Sequence, residues 1–242
     1  MACKVRNRLF VLLCIASALL SIGCGHINKL STVKFKTSVV YSEYKIIGDA
    51  ARGVVCIGNE LANPIINDSS KGVMRSVINS VGTIGSAIAT SSVESKIARS
   101  VSPDSLAWSV ASAFERSLEM YAAIVPVLSL DEKPDFIAET LLERYELSST
   151  QSGVFAKVSI TTRIIERGTG TLIWENSESK TIGLSNLSPA GVHTPIGRRI
   201  GGIMNMIQIL SMSPENVRGV LLAAATEAGR KMGETFREDI SE

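Results

Sequence analysis

Few residues of the 242-residue sequence have the types and spacing that catalysis or metal binding requires. Ser-x-x-Lys begins at Ser31 and at Ser177, but a serine nucleophile of that kind opens a helix, and both stretches look like strands. The two histidines, His26 and His193, are far apart, and neither a His-x-x-x-His nor a Cys-x-x-Cys spacing occurs. We therefore expect no catalytic residue, no metal site, no cofactor and no enzymatic activity.

Two groups of residues are candidates for contacting a partner. Val77 and Val81 belong to an apolar stripe at helical spacing between residues 70 and 99, which is either core or a docking surface. Arg198 and Arg199 stand at the start of a predicted helix and form a basic pair that suits an anionic headgroup or an acidic partner. A solvated basic patch is the alternative for this pair.

The amino terminus has the pattern of a secretory signal peptide. Lys4, Arg6 and Arg8 are followed by an uncharged, largely apolar run from Leu9 to Gly23. A membrane-spanning helix needs about 20 apolar residues, so this run is short for a permanent span. A basic head, a short apolar stretch and small residues at its end predict a signal peptide over residues 1–23.

The end of that run, Leu20-Ser21-Ile22-Gly23-Cys24, resembles the lipobox of bacterial lipoproteins. The resemblance implies cleavage before Cys24, a diacylglyceryl group on its thiol and acylation, such as palmitoylation, of the new amino terminus. Gly25 stands where the family's inner-membrane retention signal is commonly Asp, which implies the outer membrane and a domain facing the periplasm. The alternative is an ordinary secretory cut, because Ser21-x-Gly23 also satisfies the small-x-small rule.

The composition argues against nucleic acid as a partner and against a disulfide. The formal net charge is only +2, and the three cations of the signal peptide account for all of it. A nearly neutral mature chain with 5% aromatic residues has no electrostatic or stacking surface for nucleic acid. Cys56 lies in an apolar run and is expected to be a buried small side chain rather than half of a disulfide.

Periodicity predicts an α+β fold in one domain after the cleaved signal peptide, with an antiparallel sheet of about four strands packed against helices. We assign residues 24–50 to a tether and residues 51–242 to the domain, with a glycine-containing helical insertion at 70–99. Ser102 is predicted to cap a core-facing helix. Val158, Ile160 and Trp174 are expected on one buried sheet face, with Trp174 as a core anchor.

A second resemblance rests on Pro134-Asp135-Phe136-Ile137 and on the stretch Gly168 to Trp174. These motifs are similar to those of periplasmic lipoproteins with a domain like the amino-terminal domain of TolB. That group includes auxiliary lipoproteins of ABC-type transporters, penicillin-binding-protein activators and the curli-secretion lipoprotein. The resemblance implies a non-catalytic docking module of an envelope complex for transport, secretion or wall synthesis. The alternative is an oligomeric structural or pore-forming lipoprotein, that is, a homo-oligomer.

Overall fold

The computed structural model describes residues 26–33, 35, 38–47, 54–57, 91–150, 153–184, 205 and 207–241. The strands are β1 (Ile27–Asn28), β2 (Val39–Ile46), β3 (Val54–Ile57), β4 (Val125–Val127), β5 (Phe136–Thr150), β6 (Gly153–Glu166) and β7 (Leu172–Gly183). The helices are α1 (residues 91–100), α2 (Pro103–Ala122) and α3 (Pro214–Ser241), with a shorter helical stretch at residues 207–211.

All seven strands form one mixed sheet in the order β1-β7-β6-β5-β2-β4, and β3 pairs with the far end of β5. The pairs β1–β7, β7–β6 and β6–β5 are antiparallel, whereas β2 and β3 pair in parallel with β5, and β4 pairs in parallel with β2. The predicted α+β class is therefore confirmed, but the sheet is larger than the four antiparallel strands expected. The difference comes mainly from β1 and β2, which lie in the stretch assigned to a tether, whereas β3 falls in an apolar run, Gly53 to Gly58, that the sequence predicts as a short buried strand.

The stretch assigned to a tether contributes two strands, β1 and β2, to the sheet. Tyr41 pairs with Ile137 on one side and with Val127 on the other, so β2 is an interior strand. Val40 is 1% exposed and belongs to the hydrophobic core. The described residues of this stretch, 27–33, 35 and 38–46, therefore contribute strands to the sheet and side chains to the core.

The helices α2 and α3 cover one face of the sheet and run in the same direction. An added Cβ at Gly229 would lie 2.9 Å from the Ala113 Cβ and still closer to a backbone carbonyl of α2. Further along, the Arg237 guanidinium lies 5.4 Å from the centre of the Tyr121 ring. The pairing of successive positions on the two helices fixes their parallel arrangement.

The predicted local signals hold in the described part of the chain. The Ser105 amide donates to the Ser102 hydroxyl at 3.3 Å, which confirms the cap of α2. β5 contains a register irregularity between Leu142 and Arg144, where the alternation of its apolar residues is interrupted. Val158, Ile160 and Trp174 are fully buried on the face that the helices cover, as predicted.

Only the end of the predicted insertion at 70–99 is described. Residues 91–100 are helical, and Val93 and Ile97 are fully buried. The Lys96 ammonium donates to the Leu210 carbonyl and, at 2.8 Å, to the Met212 carbonyl. This end of the segment is therefore core, and Lys96 ties it to the end of the helical stretch at 207–211.

Candidate functional site

The predicted site residues all lie outside the described part of the chain: Cys24, Val77, Val81, Arg198 and Arg199. What the structure does show is a cleft of about 430 Å³ beside the amino-terminal ends of α2 and α3. Its walls come from β2, α2 and α3, through Tyr44, Asp104, Ser105, Trp108, Ser109, Arg218 and Leu222. We call this feature the Trp108 cleft.

The arrangement of α2 explains why a tryptophan is exposed there. The buried side of α2 includes Leu106, Ala107 and Val110, and Trp108 falls outside that stripe on the helical wheel. Its side chain is 59% exposed although it is among the largest apolar groups in the protein. Tryptophan is enriched at protein interfaces, so an exposed tryptophan at the edge of a cleft marks a candidate binding surface.

The contact between α2 and α3 differs along the length of the two helices. Gly229 and Gly233 let the backbone of α3 approach Val110 and Ser117 so closely that no side chain would fit between them. Toward its amino terminus, α3 contributes the side chains of Arg218 and Leu222 to the walls of the cleft. The helices are in contact along their later turns and leave a cleft along their first turns.

The cleft carries two charged groups with different surroundings. Asp104 lies in the first turn of α2, where the positive end of the helix dipole stabilises a carboxylate. Arg218 is exposed and makes no ion pair or hydrogen bond with any described residue. An exposed guanidinium beside an exposed indole suits a ligand that offers a carboxylate next to an apolar group.

The other face of the sheet is polar and carries a ladder of charges across four strands. Glu139, Arg163 and Glu175 lie directly opposite one another on β5, β6 and β7, and Arg163 bonds to both carboxylates. The Lys45 ammonium on β2 binds Glu139 and, at 3.1 Å, Glu43. Hydrogen bonds and charge interactions with these carboxylates raise the pKa of Lys45 and of Arg163. The charges satisfy one another, so we regard this face as structural.

The serine and the lysine of the Ser-x-x-Lys stretch at Ser177 lie on opposite faces of the sheet. The Ser177 hydroxyl lies 2.5 Å from the Thr161 hydroxyl on the polar face of the sheet. Lys180, three residues further along β7, reaches Glu227 of α3 at 3.1 Å on the opposite face. Residues three apart in a strand point to opposite sides, so this lysine cannot activate this serine.

Within the described residues, no cluster of three or more His, Cys, Asp and Glu side chains is arranged to hold a metal ion. His26 lies 3.4 Å from the Asp239 carboxylate and is part of the contact between the two ends of the domain. In the same part of the chain, no helix has the length and apolar content needed to cross a membrane.

The chain resembles several solved structures, all distantly. Protein XCC0632 from Xanthomonas campestris is 12% identical over 90% of this chain and 93% of its own, with a TM-score of 0.42. The PelC dodecamer from Paraburkholderia phytofirmans is 15% identical over 52% of this chain and 71% of that protein, with a TM-score of 0.32. Lipoprotein GNA1162 from Neisseria meningitidis is 16% identical over 71% and 98%, with a TM-score of 0.25.

No protein-family model matches the sequence, and no curated protein matches it. Likeness at the level of the three solved structures identifies neither a family nor a function.

Proposed function

We propose that this chain is a lipoprotein held through Cys24 on the periplasmic face of the outer membrane, where its domain docks a protein complex of the envelope without catalysing a reaction. The exposed Trp108 in its cleft carries the docking part of this proposal. The membrane part rests on the basic, apolar and lipobox-like sequence that ends at Cys24. Signal-peptide cleavage after Gly23 belongs to the same proposal.

The chemistry of the cleft defines the kind of segment that it would bind. An apolar side chain of the partner packs between the Trp108 indole and Leu222, and a neighbouring carboxylate pairs with Arg218. Tryptophan and arginine are the residues most enriched among those that dominate binding energy at interfaces. The partner is therefore a protein segment with an acidic residue next to an apolar one.

Anchoring raises the effective concentration at which the cleft meets its partner. Two or three acyl chains bind a membrane stably, and they confine the domain to the layer where an envelope complex resides. Docking then takes place at a raised effective concentration, so a cleft of modest affinity is sufficient.

Mass spectrometry of the mature amino terminus tests the anchor. The expected product begins at Cys24 and carries a diacylglyceryl group and a further acyl chain. Cys24→Ser should move the protein to the soluble periplasmic fraction. An unmodified Cys24, or a chain that begins elsewhere, contradicts the anchor.

Site-specific photo-crosslinking in intact cells tests the docking surface. A photo-reactive amino acid at Ser109, which lines the cleft and leaves Trp108 in place, should give one discrete adduct with an envelope protein, and Arg218→Glu should abolish that adduct. The matched control is the same amino acid at Met120, which is 73% exposed on the far end of the same helix. Equal adducts from both positions, or an adduct with the mass of a second copy of this chain, would overturn docking at the cleft.

A further inference from the structure

The chain contacts the rest of the domain from His26 onward, two residues after the proposed anchor at Cys24. β1 pairs with β7, and the Lys29 amide donates to the Ile173 carbonyl at 2.8 Å. His26 Nε2 lies 3.4 Å from the Asp239 carboxylate, and the Asn28 amide donates to the Asp239 carbonyl at 3.4 Å. The first described residue is thus already in contact with the last turns of α3.

Only Gly25 separates Cys24 from His26 in the sequence. Two residues of fully extended chain span at most about 7 Å, so the lipid-bearing residue cannot be farther than that from His26. We propose that the membrane lies directly against the β1–β7 edge of the sheet and the end of α3. This inference rests on the proposed lipidation of Cys24. We call this surface, with the exposed Asn28, Lys29, Ser31 and Glu238, the anchor edge.

The side chains of the anchor edge suit contact with polar headgroups rather than insertion. Asn28 and Ser31 are polar, and the charges of Lys29 and Glu238 offset each other. Within the described residues, the large apolar side chains that are exposed lie on other elements and not on β1 or the last turn of α3. The acyl chains therefore supply the affinity, and the protein surface sets the orientation.

The register of the sheet gives the position of the Trp108 cleft relative to this edge. One row of paired positions crosses the sheet from the cleft to β7: Tyr44 on β2, Thr140 on β5, Thr162 on β6 and Asn176 on β7. His26, just before β1, adjoins the β7 end of this row. Four strand spacings of about 4.8 Å put Tyr44 about 19 Å from the anchor edge. The cleft is thus held at a fixed height above the bilayer, because no flexible linker separates the anchor from the sheet.

Single fluorophores in proteoliposomes test this orientation. Cys56→Ala leaves Cys24 as the only cysteine of the mature chain, and a new cysteine is then introduced and labelled after acylation. Lys29→Cys reports on the anchor edge, and Leu128→Cys, at a side chain 97% exposed beyond β4, is the matched control. The probe is a phosphatidylcholine vesicle that contains a lipid with a nitroxide headgroup.

We expect the label at position 29 to be quenched at least about twofold more than the label at 128, because β1 and β4 are five strand spacings, about 24 Å, apart. The difference should persist in roughly 1 M salt, where the Debye length is about 3 Å. A flexible Gly/Ser linker inserted between Gly25 and His26 should reduce quenching at position 29.

Equal quenching at the two positions, or quenching that the linker leaves unchanged, would overturn the orientation. Mass spectrometry of the same samples separates this failure from a failure of the proposed function. An acylated Cys24 with equal quenching refutes only the orientation, whereas a Cys24 without lipid refutes the anchor itself.

Discussion

At the scale of single residues, Glu227 joins α3 to the sheet. Its carboxylate accepts from Arg230 at 2.7 Å and lies 3.1 Å from the Lys180 ammonium of β7. The hydrogen bond from Arg230, assisted by Lys180, lowers the pKa of Glu227 from its ordinary value of 4.5 to about 2. The ionised form is therefore the one that the folded protein stabilises.

This shift predicts how stability changes in acid. The folded-state pKa of Glu227 is depressed, so its contribution is fully present above pH 4.5 and is lost as the pH falls toward 2. Because the pair is partly exposed, we expect a contribution of at most about 1 kcal/mol. Urea midpoints measured from pH 6 to pH 2 should fall less steeply for Glu227→Gln than for the parent. Glu238→Gln, at an exposed position, is the control, and parallel curves for Glu227→Gln and the parent would contradict the prediction.

Buried residues could be predicted from the sequence, whereas the cleft could not. Alternation along β6 was sufficient to place Val158 and Ile160 on the buried face, because a strand repeats every two residues. Trp108 lies outside the apolar stripe of α2 and is neither a nucleophile nor a metal ligand, so neither hydrophobic periodicity nor the motifs of catalysis and metal binding indicate it. A large aromatic residue on the polar side of an amphipathic helix was the available signal.

At the scale of elements, the contact between α2 and α3 depends on small residues of α3. Ala225, Gly229 and Gly233 are buried and recur every four residues along one side of the helix. At Gly233 an added Cβ would overlap the Ser117 side chain, and at Gly229 it would overlap the Val110 carbonyl oxygen. Backbone atoms cannot yield as the end of a flexible side chain can, so Gly229 is the stricter position.

We therefore expect Gly229→Ala to destabilise the domain by about 1–3 kcal/mol through overpacking. Gly219→Ala on the same helix has open space around the new methyl group and should stabilise by up to about 1 kcal/mol through helix propensity. Thermal melting of the two variants provides the comparison. Unchanged stability in Gly229→Ala would show that the helices are not in backbone contact at Gly229, and a loss in Gly219→Ala would show that the space around Gly219 is not open.

Strands were predictable where their partners are close in sequence. The antiparallel succession β5, β6 and β7 follows from alternation and from the turn before Leu172, in which Gly170 has a φ of +69°. β2 pairs in parallel with β5, and the paired residues Val40 and Phe136 are almost a hundred residues apart in the sequence. Nothing in the local sequence therefore specifies this pairing. For the same reason, the local sequence of residues 24–50 favours a tether over an interior strand.

At the scale of the whole molecule, the two ends of the domain are held together at one carboxylate. Asp239 accepts a 2.6 Å hydrogen bond from the indole nitrogen of the fully buried Trp174 and lies 3.4 Å from His26 Nε2. Trp174 stacks on Phe114 of α2 and meets Phe236 of α3 edge-on. One contact therefore connects the first strand, the last helix and the aromatic core.

Asp239→Leu should weaken both the core and the attachment of β1. The Trp174 indole N–H would lose its acceptor inside the protein, at a cost of about 1–3 kcal/mol. Asp239→Asn keeps an oxygen acceptor for this bond and should lose less stability, and Glu238→Leu, one residue away and exposed, should be nearly silent. Thermal melting ranks the three variants. An equal loss of stability in Asp239→Leu and Glu238→Leu would show that the carboxylate does not join the two ends.

Hydrogen exchange tests the attachment of β1 separately. Exchange at the Lys29 amide, which pairs with Ile173, should accelerate in Asp239→Leu beyond the change in global stability, because β1 loses its contact at His26. Unchanged protection at Lys29 would show that β7 alone holds β1.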